Sequence, residues 1–233
     1  MTYFIYAPSY RHCSAGIRAL YELQKWLIRS GEDAVVVNHP CSIEADDVAV
    51  YPETLWGDPL KARRVVRYIL SRPGDLGGPP SFPESEILVG YNHLCAPYTG
   101  GHVLTVPVIE SFFTDWGRER TVNCVYLGKT AEWIAGRDEP VCHFHPVTRG
   151  AIPIDRYNGY EYPHTRKDMA ELLNRCRILY TYDDQTMLAD EARLCGAKVK
   201  LIRGEEITDY PHPLPDFSKF PEQLQDFIRR TKA

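Results

Sequence analysis

The sequence has no apolar run approaching the roughly 18–20 residues of a membrane-spanning helix. Its first residues, Met1 to Tyr6, lack both the basic stretch and the length of a secretory signal. Seven cysteines are present with no C-x-x-C pair, an odd number that excludes a fully paired disulfide framework. These absences lead to the expectation of a reduced, cytoplasmic protein without a transmembrane segment. Neither sign of charge dominates. Lys and Arg number 27 against 31 Asp and Glu, for a formal charge of −4, with −3 up to Arg118 and −1 beyond it, so neither part is a charged tail. That balance removes the basic footprint expected of a nucleic-acid or anionic-membrane binder. No G-x-G-x-x-G fingerprint, internal repeat or low-complexity tract occurs.

What is present reads as an ordinary globular chain. Its 233 residues, 44% hydrophobic and 25% charged, suffice for one large domain or two small ones. Tyr3 to Ala7 is a short apolar strand, and Ile17, Leu20, Leu23, Leu27 and Ile28 recur at helical spacing before Ser30-Gly31. Ala34 to Val37 is a continuous apolar strand, as in a parallel sheet covered on both faces. The spacing predicts a third strand over 47–51 and a helix over 59–70, with Asp58 as N-cap and Pro59 at its first position. Residues 72–86, rich in proline and glycine, read as a surface loop, and 87–91 and 103–109 as strands. Beyond Arg118, strands are expected at 122–127, 178–180 and 199–202, with helices at 165–175 and 220–232 and another that stops at Gly196. Thr130 to Ala135 reads as a short helix. Strands alternating with helices argue for doubly wound α/β sheets. The expected division is 1–117 and 118–233, with a hinge around 113–120.

The segment Tyr180-Thr181-Tyr182-Asp183-Asp184 through Glu191 to Cys195-Gly196 carries the most chemistry. A strand ends in carboxylates and a second carboxylate follows eight residues after Asp183 on a helix. Ligands in open α/β sheets bind at strand carboxyl ends, and a carboxylate accepts two hydrogen bonds from a diol. Asp183 and Asp184 compete for the upstream role, and either suits a helix N-cap. Lys129, after a strand and Gly128, is a candidate cation at a strand's carboxyl end. Gly16, with Ser14 and Ala15, allows backbone to approach a ligand at a helix start. His93 and Glu110 each follow a strand, and Glu110 suits an acid or base. Arg149 and Arg156 are weaker candidates beside Lys129. Cys142-His143-Phe144-His145 lacks the second ligand pair of a structural zinc site, so no metal is expected.

Four segments resemble retaining GT-B glycosyltransferases of the bacterial family 4-like kind. They are Ala7-Pro8-Ser9-Tyr10-Arg11-His12-Cys13-Ser14-Ala15-Gly16-Ile17-Arg18-Ala19-Leu20, Val50-Tyr51-Pro52-Glu53-Thr54-Leu55-Trp56-Gly57-Asp58-Pro59-Leu60, Cys124-Val125-Tyr126-Leu127-Gly128-Lys129, and the Tyr180-to-Val199 segment. The last resembles the E-x7-E nucleotide-sugar grip, with Asp183 at the first Glu and Glu191 at the second. The resemblance implies two Rossmann-like doubly wound lobes, GT-B-like: 1–117 on the acceptor side and 118–233 binding the donor. It implies transfer of a sugar from a nucleotide-diphosphate sugar to an unknown acceptor, such as a glycan or lipid-linked glycan, with retention and without a metal or other cofactor. Gly16, Lys129, Asp183, Asp184 and Glu191 would bind donor, and His93 and Glu110 would serve catalysis. A sugar-nucleotide epimerase and a non-catalytic sugar-nucleotide-binding or scaffold protein stay open beside it, as does a homodimeric state.

Overall fold

In the computed structural model, residues 1–128, 145–154 and 163–233 are described. In chain order the elements are β1 (Thr2–Tyr6), α1 (Ala15–Arg29), β2 (Asp33–Val37), β3 (Val48–Pro52), β4 (Arg64–Ile69) and β5 (Ile87–Gly90). Then come β6 (Val122–Tyr126), β7 (Ile152–Ile154), α2 (Arg166–Arg175), β8 (Cys176–Thr181), α3 (Met187–Leu194), β9 (Lys198–Arg203), β10 (Glu206–Asp209) and α4 (Phe220–Lys232). The chain is α/β, with two five-stranded, mostly parallel sheets and four helices among the described residues. No helix of the described residues is long and apolar enough to cross a membrane.

The chain forms two units, Met1–Val108 with Pro215–Ala233, and Ile109–Leu214. The division thus falls ahead of the expected 113–120 stretch, and the terminal helix belongs with the first unit. The reason is apolar: Ile109, Phe112 and Phe113 pack into the core of the second unit, while Tyr3 stacks on Phe227 of α4 and shares a hydrogen bond with Thr231 at 2.7 Å.

The first unit's sheet has the order β2-β1-β3-β4-β5, parallel throughout. Parallel pairing puts Tyr3 opposite Val48 and Ile5 opposite Val50, so these apolar side chains share one face. On the helical side, α1 and α4 meet through Trp26 and Phe220, whose centroids lie 5.1 Å apart. Loops cover the other face, around Ala49, Tyr51, Leu60 and Val65. Arg67 ties those loops down. It is 1% exposed and bonds Glu86 through Nε and Nη2, each at 2.8 Å. It also donates to the carbonyls of Leu55 and Gly57 at 2.9 and 3.2 Å, and its guanidinium lies over the rings of Tyr51 and Phe82.

Two expectations are corrected here. The helix expected over 59–70 is instead a turn followed by β4. Val65, Val66, Tyr68 and Ile69 are β-branched and aromatic residues that fill a central strand. Asp58 caps no helix, but accepts from the Tyr51 hydroxyl at 2.5 Å, and Lys61 bends the turn with a φ of 54°. The strand expected over 103–109 is an extended strap with one isolated bridge, Val103 to Gly90. Side chains replace the missing ladder: Tyr68, Tyr91 and Arg18 donate to the carbonyls of Leu104, Val106 and Val108.

The second unit's sheet has the order β10-β9-β8-β6-β7, with only β10 antiparallel. β7 and β10 were not foreseen. The crossovers from β7 to β8 and from β8 to β9 run the same way, so α2 and α3 lie side by side on one face. Cys124, Cys176 and Cys195 are fully buried in this unit's core, and the six described cysteines are free thiols.

Arg67→Ala should destabilise the chain by about 3–5 kcal/mol, because it leaves the buried Glu86 carboxylate and two loop carbonyls unmatched. Urea unfolding measures this, and an unchanged midpoint would mean that the loop layer does not depend on the guanidinium.

Candidate functional site

In a parallel sheet the crevice for ligands lies outside the carboxyl ends of two neighbouring strands whose connections leave in opposite directions. In the second unit those strands are β6 and β8: β6 leads to β7 on one side, and β8 leads to β9 on the other. In the first unit they are β1 and β3 by the same reasoning.

The chain just beyond β6 and β8 is tightly joined. Tyr182 donates its N–H to the Tyr126 carbonyl at 3.1 Å, extending the pairing. Gly128 then turns with a φ of 65°, and a Cβ there would stand 2.3 Å from the Cβ of Asp183. Both conformation and space therefore require glycine. Asp183 is buried; its Oδ1 accepts from the Gln185 N–H at 2.9 Å, and its own N–H donates to Thr181 Oγ1 at 3.0 Å. The carboxylate expected at the strand end thus sits at the switch point, built into a tight turn. Neither aspartate is the cap of α3. Thr186 takes that role, its Oγ1 accepting from Leu188 N at 3.2 Å. Asp184 faces β9, where Oδ2 pairs with Arg203 at 2.8 Å and its carbonyl accepts from the Tyr210 hydroxyl at 2.9 Å. Lys129, Arg156, Cys142, His143 and the helix expected over 130–135 lie outside the described residues. Arg149 is exposed beyond the short turn that starts at His145.

Glu191, expected at the second position of the donor grip, lies in α3. It is 0% exposed, and both its oxygens are held by Arg166: Oε2 by Nη1 at 3.0 Å and Oε1 by Nη2 at 2.6 Å. A buried carboxylate needs such a partner, since an isolated one would cost several kcal/mol. The other edge of the same guanidinium holds Glu110, with Nε to Oε1 at 3.1 Å and Nη2 to Oε2 at 2.8 Å. The ring of Phe113 lies 4.3 Å from the guanidinium carbon. Burial works to lower the Arg166 pKa, but the Glu191 and Glu110 carboxylates outweigh it and hold it above the ordinary value. Glu110, expected in the first lobe, therefore belongs to the second unit. Arg166 was missed. Its helix start was legible as Thr165-x-x-Asp168, which forms a capping box, but its two partners are remote in sequence.

In the first unit, the loop after β1 leads to Ser14, which caps α1 by accepting from Ile17 N at 3.3 Å. Glu53, just past β3 and 3% exposed, accepts from Leu70 N at 2.9 Å. Gly16 stands beside this switch point, although a Cβ there would meet Leu70 Cδ1 at an ordinary 3.5 Å. Space alone does not demand glycine at 16. His93 is exposed in the turn after β5, on the same sheet end but two strands beyond β3.

Asp190 was also unforeseen. It bonds Arg193 at 2.7 Å, and Arg193 in turn donates to the His212 carbonyl at 2.7 Å, clamping the segment after β10 onto α3. Burial pushes its carboxyl up from 3.8 to about 6, against the opposing pull of Arg193. Among the described residues no cluster of His, Cys, Asp and Glu could hold a metal ion.

A raised carboxyl pKa in the fold stabilises at low pH, and that contribution is lost as pH rises through about 6. Asp190→Asn should therefore gain on the parent by about 1–2 kcal/mol between pH 4 and pH 7, after allowance for partial solvent screening. Thermal or urea unfolding across that range checks it, and a flat difference contradicts it. Gly128→Ala should cost about 2–4 kcal/mol, combining a left-handed alanine with overlap on Asp183. Gly150→Ala, also at positive φ but with nothing within 4 Å, should cost only about 1 kcal/mol; equal losses would remove the close approach as a cause. No family model, curated protein or solved structure matches the chain.

Proposed function

We propose that the chain is a glycosyltransferase of GT-B kind that takes a sugar from a nucleotide-diphosphate sugar. The observation that carries this reading is the position of the motif residues. Gly128 and Asp183, which belong to two separate segments of the sequence resemblance, meet at the carboxyl ends of neighbouring strands where a parallel sheet accepts ligands. The donor's sugar and ribose would lie over the β8–α3 turn, bonded by Asp183. Lys129, next after Gly128 in sequence, would meet the diphosphate charge that grows as the glycosidic bond breaks. The first unit would hold the acceptor at its own switch point, beside Gly16, with His93 on the same sheet end. The resemblance implies retention of anomeric configuration.

One observation favours a second reading, a sugar-nucleotide-binding protein without turnover. The second carboxylate of the grip, Glu191, is committed to Arg166, and the first is an aspartate.

Binding and turnover of a panel of UDP- and GDP-sugars separate the two. Transfer, hydrolysis or epimerisation of a bound donor marks an enzyme, whereas binding without any of them marks the second reading. Asp183→Ala should weaken donor affinity by about 1–3 kcal/mol through loss of its hydrogen bonds. Failure of every nucleotide sugar to bind would sink both readings.

A further inference from the structure

We propose that Trp56 is a stacking platform for a neutral sugar ring, so that the first unit carries a carbohydrate subsite at the carboxyl end of its sheet. At 64% exposure, Trp56 is the most open large hydrophobic side chain among the described residues. An exposed indole is ordinarily free to turn, but this one is fixed by its surroundings. Its Nε1–H donates to the Gly77 carbonyl at 2.7 Å. The carbonyls of the residues before and after it, Leu55 and Gly57, accept from the buried Arg67 at 2.9 and 3.2 Å. The loop that supplies Gly77 is itself pressed onto the chain ahead of the ring: a Cβ on Gly78 would stand 2.2 Å from the Glu53 carbonyl oxygen. The ring therefore keeps its orientation without a ligand, and little ordering remains to be done when one binds.

Position supports a binding role. Three aromatic side chains of the first unit are exposed, namely Tyr10, Trp56 and Tyr98. They lie in the segments that follow β1, β3 and β5, so all three belong to the end of the sheet where its parallel strands finish. The segments after β1 and β3 are the pair selected by the reversal in strand order. Tyr10 is ordered as well, meeting the Tyr21 ring edge-on at 5.2 Å.

Chemistry selects the ligand. The face of an indole is the negative side of its quadrupole. A pyranose offers a matching surface, a flat patch of C–H bonds made slightly positive by neighbouring oxygens. Charge argues against the other common stacking ligands. Segments 53–58 and 72–86, which hold the ring, carry Glu53, Asp58, Asp75, Glu84 and Glu86 against Arg72 alone. Arg67, beneath them, is 1% exposed and engaged with Glu86. Such a surface disfavours phosphates and nucleic acid, whereas carboxylates accept hydrogen bonds from hydroxyls. An organic cation is held by a cage of several rings, and one open face suits a flat ring instead. Naming the bound glycan as the acceptor rests on the function proposed above; the platform itself does not.

The test uses the full chain and a panel of neutral oligosaccharides of glucose, galactose, mannose and N-acetylglucosamine, with a single-stranded oligothymidylate as the anionic probe. At least one neutral glycan should bind and shift the Trp56 indole N–H resonance, identified as the one missing from Trp56→Phe. Trp56→Ala should weaken that glycan by about tenfold or more. Trp116→Ala, which removes an exposed indole of the second unit, should leave the affinity unchanged. Trp56→Phe keeps a ring without its N–H anchor and should fall between parent and Trp56→Ala. Failure of every neutral glycan to bind, or binding that Trp56→Ala leaves intact, would overturn the proposal. If Trp56→Ala does not fold, unchanged affinity in Trp56→Phe is equally fatal. Tighter binding of oligothymidylate than of any glycan would assign the ring to bases and overturn it too, as would a dimer of the parent that Trp56→Ala dissolves. Titration with UDP- and GDP-sugars separates the two proposals. Glycan binding through Trp56 without nucleotide-sugar binding supports the platform and removes the donor reading. Nucleotide-sugar binding without glycan binding does the reverse.

Discussion

A fully buried carboxylate, Glu191 of α3, is held by a residue of α2, and one guanidinium makes that possible. Arg166 holds both oxygens of Glu191 and at the same time reaches Glu110 and Phe113. The contact joins the first turn of α2, the second turn of α3 and the opening residues of the unit into one cluster. Without the guanidinium, the burial of Glu191 would cost several kcal/mol. Asp183 lies in the β8–α3 turn, while Glu191 is held inside the unit by Arg166.

Parallel pairing supplies the second constraint. Because the described strands of each sheet, β10 apart, are parallel to their neighbours, every loop that follows a parallel strand emerges at one end of its sheet. The reversal in strand order then selects one pair of loops in each unit. In the second unit the selected loops are locked together by the overlap of Gly128 and Asp183, which leaves no room for a side chain. In the first, Ser14 and Glu53 satisfy backbone N–H groups beside the same kind of crevice. The loop face of the first sheet depends in the same way on a buried arginine, Arg67.

Most of this framework was legible from hydrophobic pattern. Continuous apolar runs marked β1, β2, β3, β6 and β8, and helical spacing with caps marked α1, α2 and α4. The pattern failed where chemistry and structure diverge. Asp58-Pro59 is a good helix start, but tertiary packing of Val65, Val66 and Tyr68 makes the following segment a strand. The strap over 103–108 resembles a strand in composition, yet its carbonyls are satisfied by Tyr68, Tyr91 and Arg18. β7 and β10 are too short to announce themselves. At the site, Asp183 was legible because a strand end and a turn are local signals. The contact of Glu191 with Arg166 was not, since that partner lies 25 residues away and Glu110 lies 56 from the same arginine. Burial of a charge shows only in three dimensions.

In the function proposed for the chain, the crevice outside β6 and β8 takes the nucleotide sugar while Glu191 stays on Arg166. A crystal structure of the chain soaked with a UDP-sugar is the decisive test. Nucleotide density is expected over the Gly128–Asp183 contact, with the Glu191–Arg166 pair unbroken. Density at any other place, or a Glu191 carboxylate turned away from Arg166 onto the ribose, would contradict it.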